Sequence, residues 1–480
     1  MRLEFALLFV CIARLWLMVM PSSLWTDETV TALVSQYPAH PSLAIVPPYT
    51  QSIYYALPRG MHALLGFSEI GYRIPSVLAM GLALFFVSRI VARVVHPDAA
   101  WFAVFTCLAI PGIDYFAIDA KPYALGMCCA AGALYFLVRW LDSARWLDAL
   151  WFLLLAALLW RVQQVYWPFY LVFAIYALVN RNSPVGWGRI AIVSLLLALT
   201  LLPVALDSLA LFREARTHVF VAPPPLLDLR RLLRRDWNLI AICGGLAWLA
   251  SLAWRTRERW TPRVSDVVLA LAWWLVTPIT VFVFSRLSGS SLFVPRYLSL
   301  SLPGVAIAAT MAAALFIPRS RWQAASVAMA AGALVFAGNW NSLWPEHDPA
   351  GWRPAAQYVN RIVEGADTPV LCTSPFIEAV PPVWSPDYPL PGFLYAQLFA
   401  YPLHARTLLF PVHPIDEARQ YAGRISVDIL PKHGRFLIYG GIPGVEYWRE
   451  WLAQRPELRA WHSEAHDFGD IRVVLYTENL

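Results

Sequence analysis

Residues 3–28 read LEFALLFVCIARLWLMVMPSSLWTDE. The run up to Pro21 is nearly all apolar, with Glu4 and Arg14 its charges, and is long enough to cross a hydrocarbon core once. Pro21, Ser22 and Ser23 end it, and the carboxylates Asp27 and Glu28 follow at once. Carboxylates at bilayer depth are costly, so they pair, line a wet cavity or carry function. No small-residue cleavage site stands behind the run, which therefore reads as a retained span and not a signal peptide.

Outward from that stretch, the 480 residues are 59% hydrophobic and 14% charged, where soluble chains carry about a quarter charged residues. The deficit lies before residue 340. This predicts a polytopic α-helical membrane domain over 1–339, with an external loop at 22–73, and a C-terminal soluble α/β domain over 340–480. Apolar runs near 3–21, 74–95, 99–114, 122–139, 147–160, 165–180, 189–206, 237–254, 266–284, 297–317 and 323–339 predict about eleven transmembrane helices. Five of the six cysteines fall within these runs and only Cys372 lies in the tail, so the tail holds no disulfide framework. The net charge of +6 is mostly arginine between spans, which is membrane topology and no argument for nucleic acid.

Short-loop arginines set the orientation. Arg2, Arg89, Arg93, Arg139, Arg145, Arg181, Arg189, Arg255, Arg257, Arg259, Arg263, Arg319 and Arg321 fall on one side, predicted to be cytoplasmic. Asp27, Glu28, the 115–121 turn and the tail then face the other side. One connection resists the rule: residues 207–236 put Arg213, Arg216, Arg230, Arg231, Arg234 and Arg235 on the outer face. The last four repeat at helical spacing beside Leu229, Leu232 and Leu233, a pattern suited to anionic headgroups.

The first external loop predicts two helices, Asp27–Tyr37 with Asp27 as its cap, and Gln51–Leu65 led in by Pro47-Pro48. In the tail, a helix at about Pro354–Glu364 precedes strand-like runs at Pro369–Cys372, Thr407–Phe410, Arg435–Tyr439 and Ile471–Tyr476. Helical segments Pro414–Gly423 and Val445–Gln454 lie among them. Gly440-Gly441 lacks the lysine and spaced glycines of a phosphate loop and reads as a plain turn.

Three places carry candidate chemistry. Asp27 is placed to act as a general base in a groove opening outward, against the plainer reading of Asp27-Glu28 as a cap and an interfacial acid. Asp119 and Lys121 sit in a tight turn between two spans on the same side. If loops meeting at that face bring Asp119 to Asp27, the carboxylates share either a proton or a divalent cation, with Asp119 and Glu28 as its ligands. Otherwise Asp119 simply pairs with Lys121. Arg296, in Val294-Pro295-Arg296-Tyr297-Leu298, stands at the mouth of the tenth span, where a guanidinium can clamp a phosphate with two parallel bonds.

Taken in order, these motifs resemble the GT-C superfamily of integral-membrane glycosyltransferases that use polyprenyl-phosphate-linked sugars, among them the bacterial protein O-mannosyltransferases and lipid A aminoarabinose transferases. The matching stretches are Trp25-Thr26-Asp27-Glu28, Pro47-Pro48-Tyr49 through Tyr72-Arg73-Ile74-Pro75-Ser76, Asp119-Ala120-Lys121-Pro122-Tyr123-Ala124-Leu125, and Pro295-Arg296-Tyr297-Leu298 with Pro303-Gly304. The tail opening Gly351-Trp352-Arg353-Pro354-Ala355-Ala356 is also similar. The resemblance implies a catalytic Asp27 assisted by Asp119, and Lys121, Arg296, Tyr123 and Tyr297 around the donor phosphate and sugar. It implies inverting transfer to a glycan, lipid or protein acceptor, with the active site and tail on the periplasmic side of the bacterial inner membrane. Two departures stand out: Asp119 and Lys121 where the family more often has glutamate and arginine, and Val46 where a histidine often precedes the double proline. A transporter or flippase of a lipid-linked saccharide is one rival; it needs paired repeats and midplane charges, and the acidic residues here sit at span ends. A non-enzymatic envelope scaffold is the other. The whole reading requires positions 27, 119 and 296 to converge.

Overall fold

The computed structural model describes residues 2–45, 51–180, 183–215, 222–253, 260–289, 291–363, 365, 367–376, 379, 392–411 and 415–478. Pro47-Pro48-Tyr49 with Val46, and also Arg181, Arg216, Arg255, Arg257 and Arg259, lie outside the described residues. The chain forms two compact units: residues 1–20, 51–54 and 73–345, and residues 21–50, 55–72 and 346–480. Most of the first external loop therefore groups with the tail in contacts, although it precedes the second span in sequence.

The first unit is helical. Among the described residues, five helices are long and apolar enough to cross a membrane: Glu69–Val94, Tyr123–Ser143, Trp187–Leu209, Val264–Ser288 and Pro295–Ala314. A sixth forms if Pro97–Leu108 and Pro111–Ile118 are one span bent by 77°. The sequence predicts about eleven, with the fifth and sixth runs short and parted only by Arg161-Val162-Gln163-Gln164. Several are shorter or broken: Trp146–Val162 has 17 residues and Trp322–Ala337 has 16, while 165–180 begins with a 3-10 turn at Gln164–Phe169 before the helix Tyr170–Val179.

The opening run is itself two pieces, an α-helix Arg2–Ile12 and a π-helical turn Ala13–Leu17. Arg14 and Trp16 on that turn are buried. The Arg14 guanidinium donates to the carbonyls of Gly338, Asn339, Ser342 and Leu343 at 2.6–2.8 Å. It also stands 4.5 Å from the Trp340 ring centroid. The charge that interrupts the apolar run thus collects the carbonyls freed where the Trp322–Ala337 helix ends, the end at which a helix favours a cation.

The unexpected arginines of 207–236 also change meaning. Arg230, Arg231, Arg234 and Arg235 occupy the opening turns of one helix, Leu226–Ser251. The predicted connection is in large part helix, because Trp187–Ala215 runs on from the other side.

The second unit is built on a five-stranded sheet of order β2-β1-β3-β5-β4, with β1 Pro369–Thr373, β2 Arg406–Phe410, β3 Arg435–Gly441, β4 Trp461–Phe468 and β5 Ile471–Glu478. β1 pairs parallel to β2 and β3, while β5 runs antiparallel to β3 and β4. Four strands match the predicted runs. β4 escapes the pattern because His462, Ser463, Glu464 and Asp467 are polar and exposed at the sheet edge. Helices Trp352–Ile362, Asp416–Asp428 and Ile442–Ala453 complete the α/β layer. Gly440, the second-last residue of β3, has φ 155°, and an added Cβ there would collide with Thr373 Oγ1. Close packing against β1 explains that glycine, and no phosphate is required.

Candidate functional site

The sequence-predicted residues divide between the units. Asp119, Lys121, Tyr123, Arg296 and Tyr297 belong to the first, Asp27 and Glu28 to the second.

In the first unit, the helix Pro111–Ile118 stops at Asp119, whose backbone turns extended (ψ 123°). The Lys121 amide donates to the Asp119 carbonyl at 2.7 Å, closing a three-residue turn before Pro122 opens the Tyr123–Ser143 helix. Proline suits that place, since its missing N–H would have had no partner there. Asp119, Lys121 and Tyr123 are all buried. A lysine held at 2% exposure is rare unless a charge or polar set holds it. Ser76 Oγ donates to the Lys121 carbonyl at 3.4 Å and is itself within 3.1 Å of Tyr54 Oη, so the turn is tethered from the helix that follows the first loop.

Arg296 lies on a 3-10 turn, Pro295–Ser301, which packs against the start of the Tyr123–Ser143 helix. Tyr166 joins the two segments. Its hydroxyl is 3.3 Å from Ser299 Oγ, and its ring lies over Gly126, where an added Cβ would collide with it. The Arg296 guanidinium stands 5.5 Å from the Tyr297 ring, and both residues are partly exposed. A buried acid–lysine turn and a half-exposed arginine turn therefore share one helix start. Tyr166 and Ser299 were not singled out from the sequence, because a buried tyrosine and a serine in apolar runs carry no distinguishing pattern.

In the second unit, the helix runs Thr26–Gln36 with Trp25 as its cap residue. Asp27 is not the cap. Glu28, three residues after Trp25, reaches back so that the Trp25 amide donates to its Oε2 at 3.2 Å. That is the side-chain half of a capping box, and it leaves Asp27 half-exposed in the first turn while Glu28 is fully buried.

Tail residues hold this helix start in place. The His347 amide donates to Ser22 Oγ at 3.2 Å, and Arg353 donates from its amide to Ser23 Oγ at 3.1 Å and from Nη2 to the Pro21 carbonyl at 2.9 Å. Leu24 N–H donates to Tyr401 Oη at 2.8 Å, and Trp352 Nε1 to Thr26 Oγ1 at 3.4 Å. The Gly351–Ala356 stretch is thus the clasp on the loop that carries Asp27. A Glu28 oxygen and a ring nitrogen of the buried His347 lie within 4.8 Å of each other. Asp348 follows, its carboxyl raised above the ordinary range by burial, with the nearby Asp470 and Glu28 adding to the effect; the Ala350 amide at 3.1 Å and His347 oppose it. Carboxylate and imidazole together are a donor set that suits a divalent cation. His347 stands alone in its stretch of sequence, and only folding brings it to Glu28.

Comparison with known proteins follows from this geometry. Residues 50–206 match the family described as Dolichyl-phosphate-mannose-protein mannosyltransferase. No functionally curated protein matches the chain in sequence. Two solved structures of ArnT from Cupriavidus metallidurans, one bound to undecaprenyl phosphate and one in the apo state, are each similar with a TM-score of 0.56 at 14% identity, covering 98% of this chain and 97% of theirs. The mycobacterial arabinofuranosyltransferase AftD is similar at a TM-score of 0.47 and 13% identity, over 99% of this chain and 42% of its own. One part of the chain, residues 50–206, thus matches that family, and the whole chain shares the fold of ArnT.

Proposed function

We propose that this protein transfers a glycosyl group from a polyprenyl-phosphate-linked sugar to an acceptor of the cell envelope, a glycolipid, polysaccharide or protein. The reaction takes place on the periplasmic side of a bacterial inner membrane and inverts the anomeric carbon. The observation that carries this reading is the buried Asp119–Lys121 turn sharing one helix start with the Arg296 turn, two cations suited to a phosphate beside apolar helices suited to its isoprenoid.

In the transfer, Asp27 takes the proton of the acceptor hydroxyl or amine while that atom attacks the anomeric carbon. The bond from that carbon to the phosphate oxygen breaks, and the polyprenyl phosphate leaves with its charge met by Lys121 and Arg296. Tyr123 and Tyr297 flank these cations, and Asp119 keeps Lys121 in place and assists Asp27. Glu28 with His347 is the donor pair in the second unit for a divalent cation, and Asp119 is the carboxylate candidate in the first; when bound, such an ion adds positive charge for the leaving phosphate.

The test is turnover of synthetic polyprenyl-phosphate sugars by the purified, reconstituted protein, together with mass spectrometry of envelope glycans after gene deletion. Consumption of one donor, abolished by Asp27→Asn in a protein that still folds, is expected. Unchanged glycans on deletion and no donor consumed overturn the proposal in favour of a transporter or scaffold.

A further inference from the structure

At the arginine-bearing ends of the first unit's helices lies a cavity of about 310 Å³ that plays no part in the chemistry above. It is formed where Glu69–Val94 runs out into Val95 and His96, where Leu302–Ala314 ends near Ile317, and where Arg319 and Trp322 open the next helix; Trp260 closes another side. Its volume falls at the small end of ligand pockets, with room for about ten waters.

The lining has a specific chemistry. Some arginines of this unit pair with an aspartate, as Arg93 does with Asp142, Arg139 with Asp148 and Arg235 with Asp236. Arg319, exposed at the rim, has neither an ion-pair nor a hydrogen-bond partner among the described residues. His96 Nδ1 lies 3.2 Å from the Asp98 amide and 3.4 Å from the Asp98 carboxylate, which leaves Nε2 as the ring nitrogen without a partner among the described residues and, with the ring protonated, a donor. Trp322 is 2% exposed, and among the described residues neither its indole N–H nor that of Trp260 makes a hydrogen bond. Val95 and Ile317 supply apolar wall. An uncompensated guanidinium, an imidazole and two indole donors beside an aliphatic surface suit an anion with oxygens in several directions and an apolar stem.

We propose that this cavity binds a phosphate group, presented either by a glycerophospholipid headgroup at that face of the membrane or by free phosphate. Bound there, the phosphate ties Arg319 to His96 and so joins the ends of helices that are far apart in sequence.

The full-length protein, purified in detergent and stripped of lipid, is titrated with inorganic phosphate, with dihexanoyl phosphatidylglycerol and with phosphate-free dihexanoylglycerol, and its thermal midpoint is followed. A saturable rise with the phosphatidylglycerol is expected. Its apparent Kd should weaken at least tenfold in Arg319→Gln, yet stay the same in Arg321→Gln, an exposed neighbour outside the cavity, and in Lys121→Gln. A rise with inorganic phosphate of equal size and equal Arg319 dependence assigns the site to free phosphate. No saturable rise with either phosphate probe, an equal rise with dihexanoylglycerol, or an Arg319→Gln response matching that of Arg321→Gln overturns the proposal.

Discussion

Arg353 donates to Glu69 Oε1 at 3.0 Å across 284 residues of sequence, and Tyr401 donates to the same oxygen at 3.2 Å. Glu69 is thereby the knot that binds the end of the first loop to the tail within the second unit. Replacing it with Gln should cost about 1–2 kcal/mol. The loss is modest because the arginine side chain is 39% exposed and water screens the pair. A double-mutant cycle with Arg353→Met, read by thermal unfolding, checks it. Faster amide exchange over 24–36 in Arg353→Met would show that the clasp steadies the Asp27 helix; unchanged exchange there would sink that role.

Arg14 should resist substitution even by lysine. A planar guanidinium serves four carbonyls and an indole face at once, which an ammonium cannot match. Arg14→Lys should lower stability by about 1–2 kcal/mol and Arg14→Met by about 2–4 kcal/mol. Limited proteolysis between residues 338 and 345 reports the loosened segment.

Gly126→Ala tests the packing that joins the acid–lysine turn to the arginine turn. The new methyl meets the Tyr166 ring, which is fully buried and has nowhere to go. Overpacking of this kind costs about 1–3 kcal/mol. Transfer activity should fall more than in Tyr166→Phe, which loses only a hydroxyl contact worth about 1 kcal/mol. Equal activity in the two variants would mean that the ring's position does not matter to the site.

Arg296→Lys keeps the charge but gives up the paired hydrogen bonds, so the expected loss is in kcat. Removing a preorganised donor from a transition-state charge costs on the order of 10²–10³ in rate. Steady-state kinetics with a fixed acceptor separates this from a KM effect, and an unaltered kcat would remove Arg296 from the leaving-group side.

The pH profile of stability should carry a mark of Asp348. Its carboxyl is raised in the folded state, chiefly by burial and then by Asp470 and Glu28. The folded protein thus binds this proton more tightly than the unfolded chain. Its contribution is fully present below the unfolded-state pKa and declines as pH rises from there through the folded-state value. Asp348→Asn should flatten that acid-side slope in denaturant unfolding from pH 3 to 7. A slope identical to that of the parent protein would contradict it.

Much of this protein is written in local pattern. Apolar runs give membrane helices, short strand-like runs give β1, β2, β3 and β5, and the order of short motifs around Asp27, Asp119 and Arg296 gives a resemblance that the ArnT-like fold bears out, because each signal is carried by neighbours in sequence. Whether an apolar run is a straight crossing is not local: the turn at Ala13–Leu17 and the 77° bend after Leu108 depend on what packs against them. The same holds for side-chain roles. Glu28 reads as a second acid until its carboxylate is seen on the Trp25 amide, and Arg14 as a flaw in a span until four distant carbonyls surround it. His347, Arg353, Tyr401 and Tyr166 gain their partners only through contacts over tens to hundreds of residues. A polar group removed from water must find a partner wherever the fold supplies one, and that choice belongs to the tertiary structure.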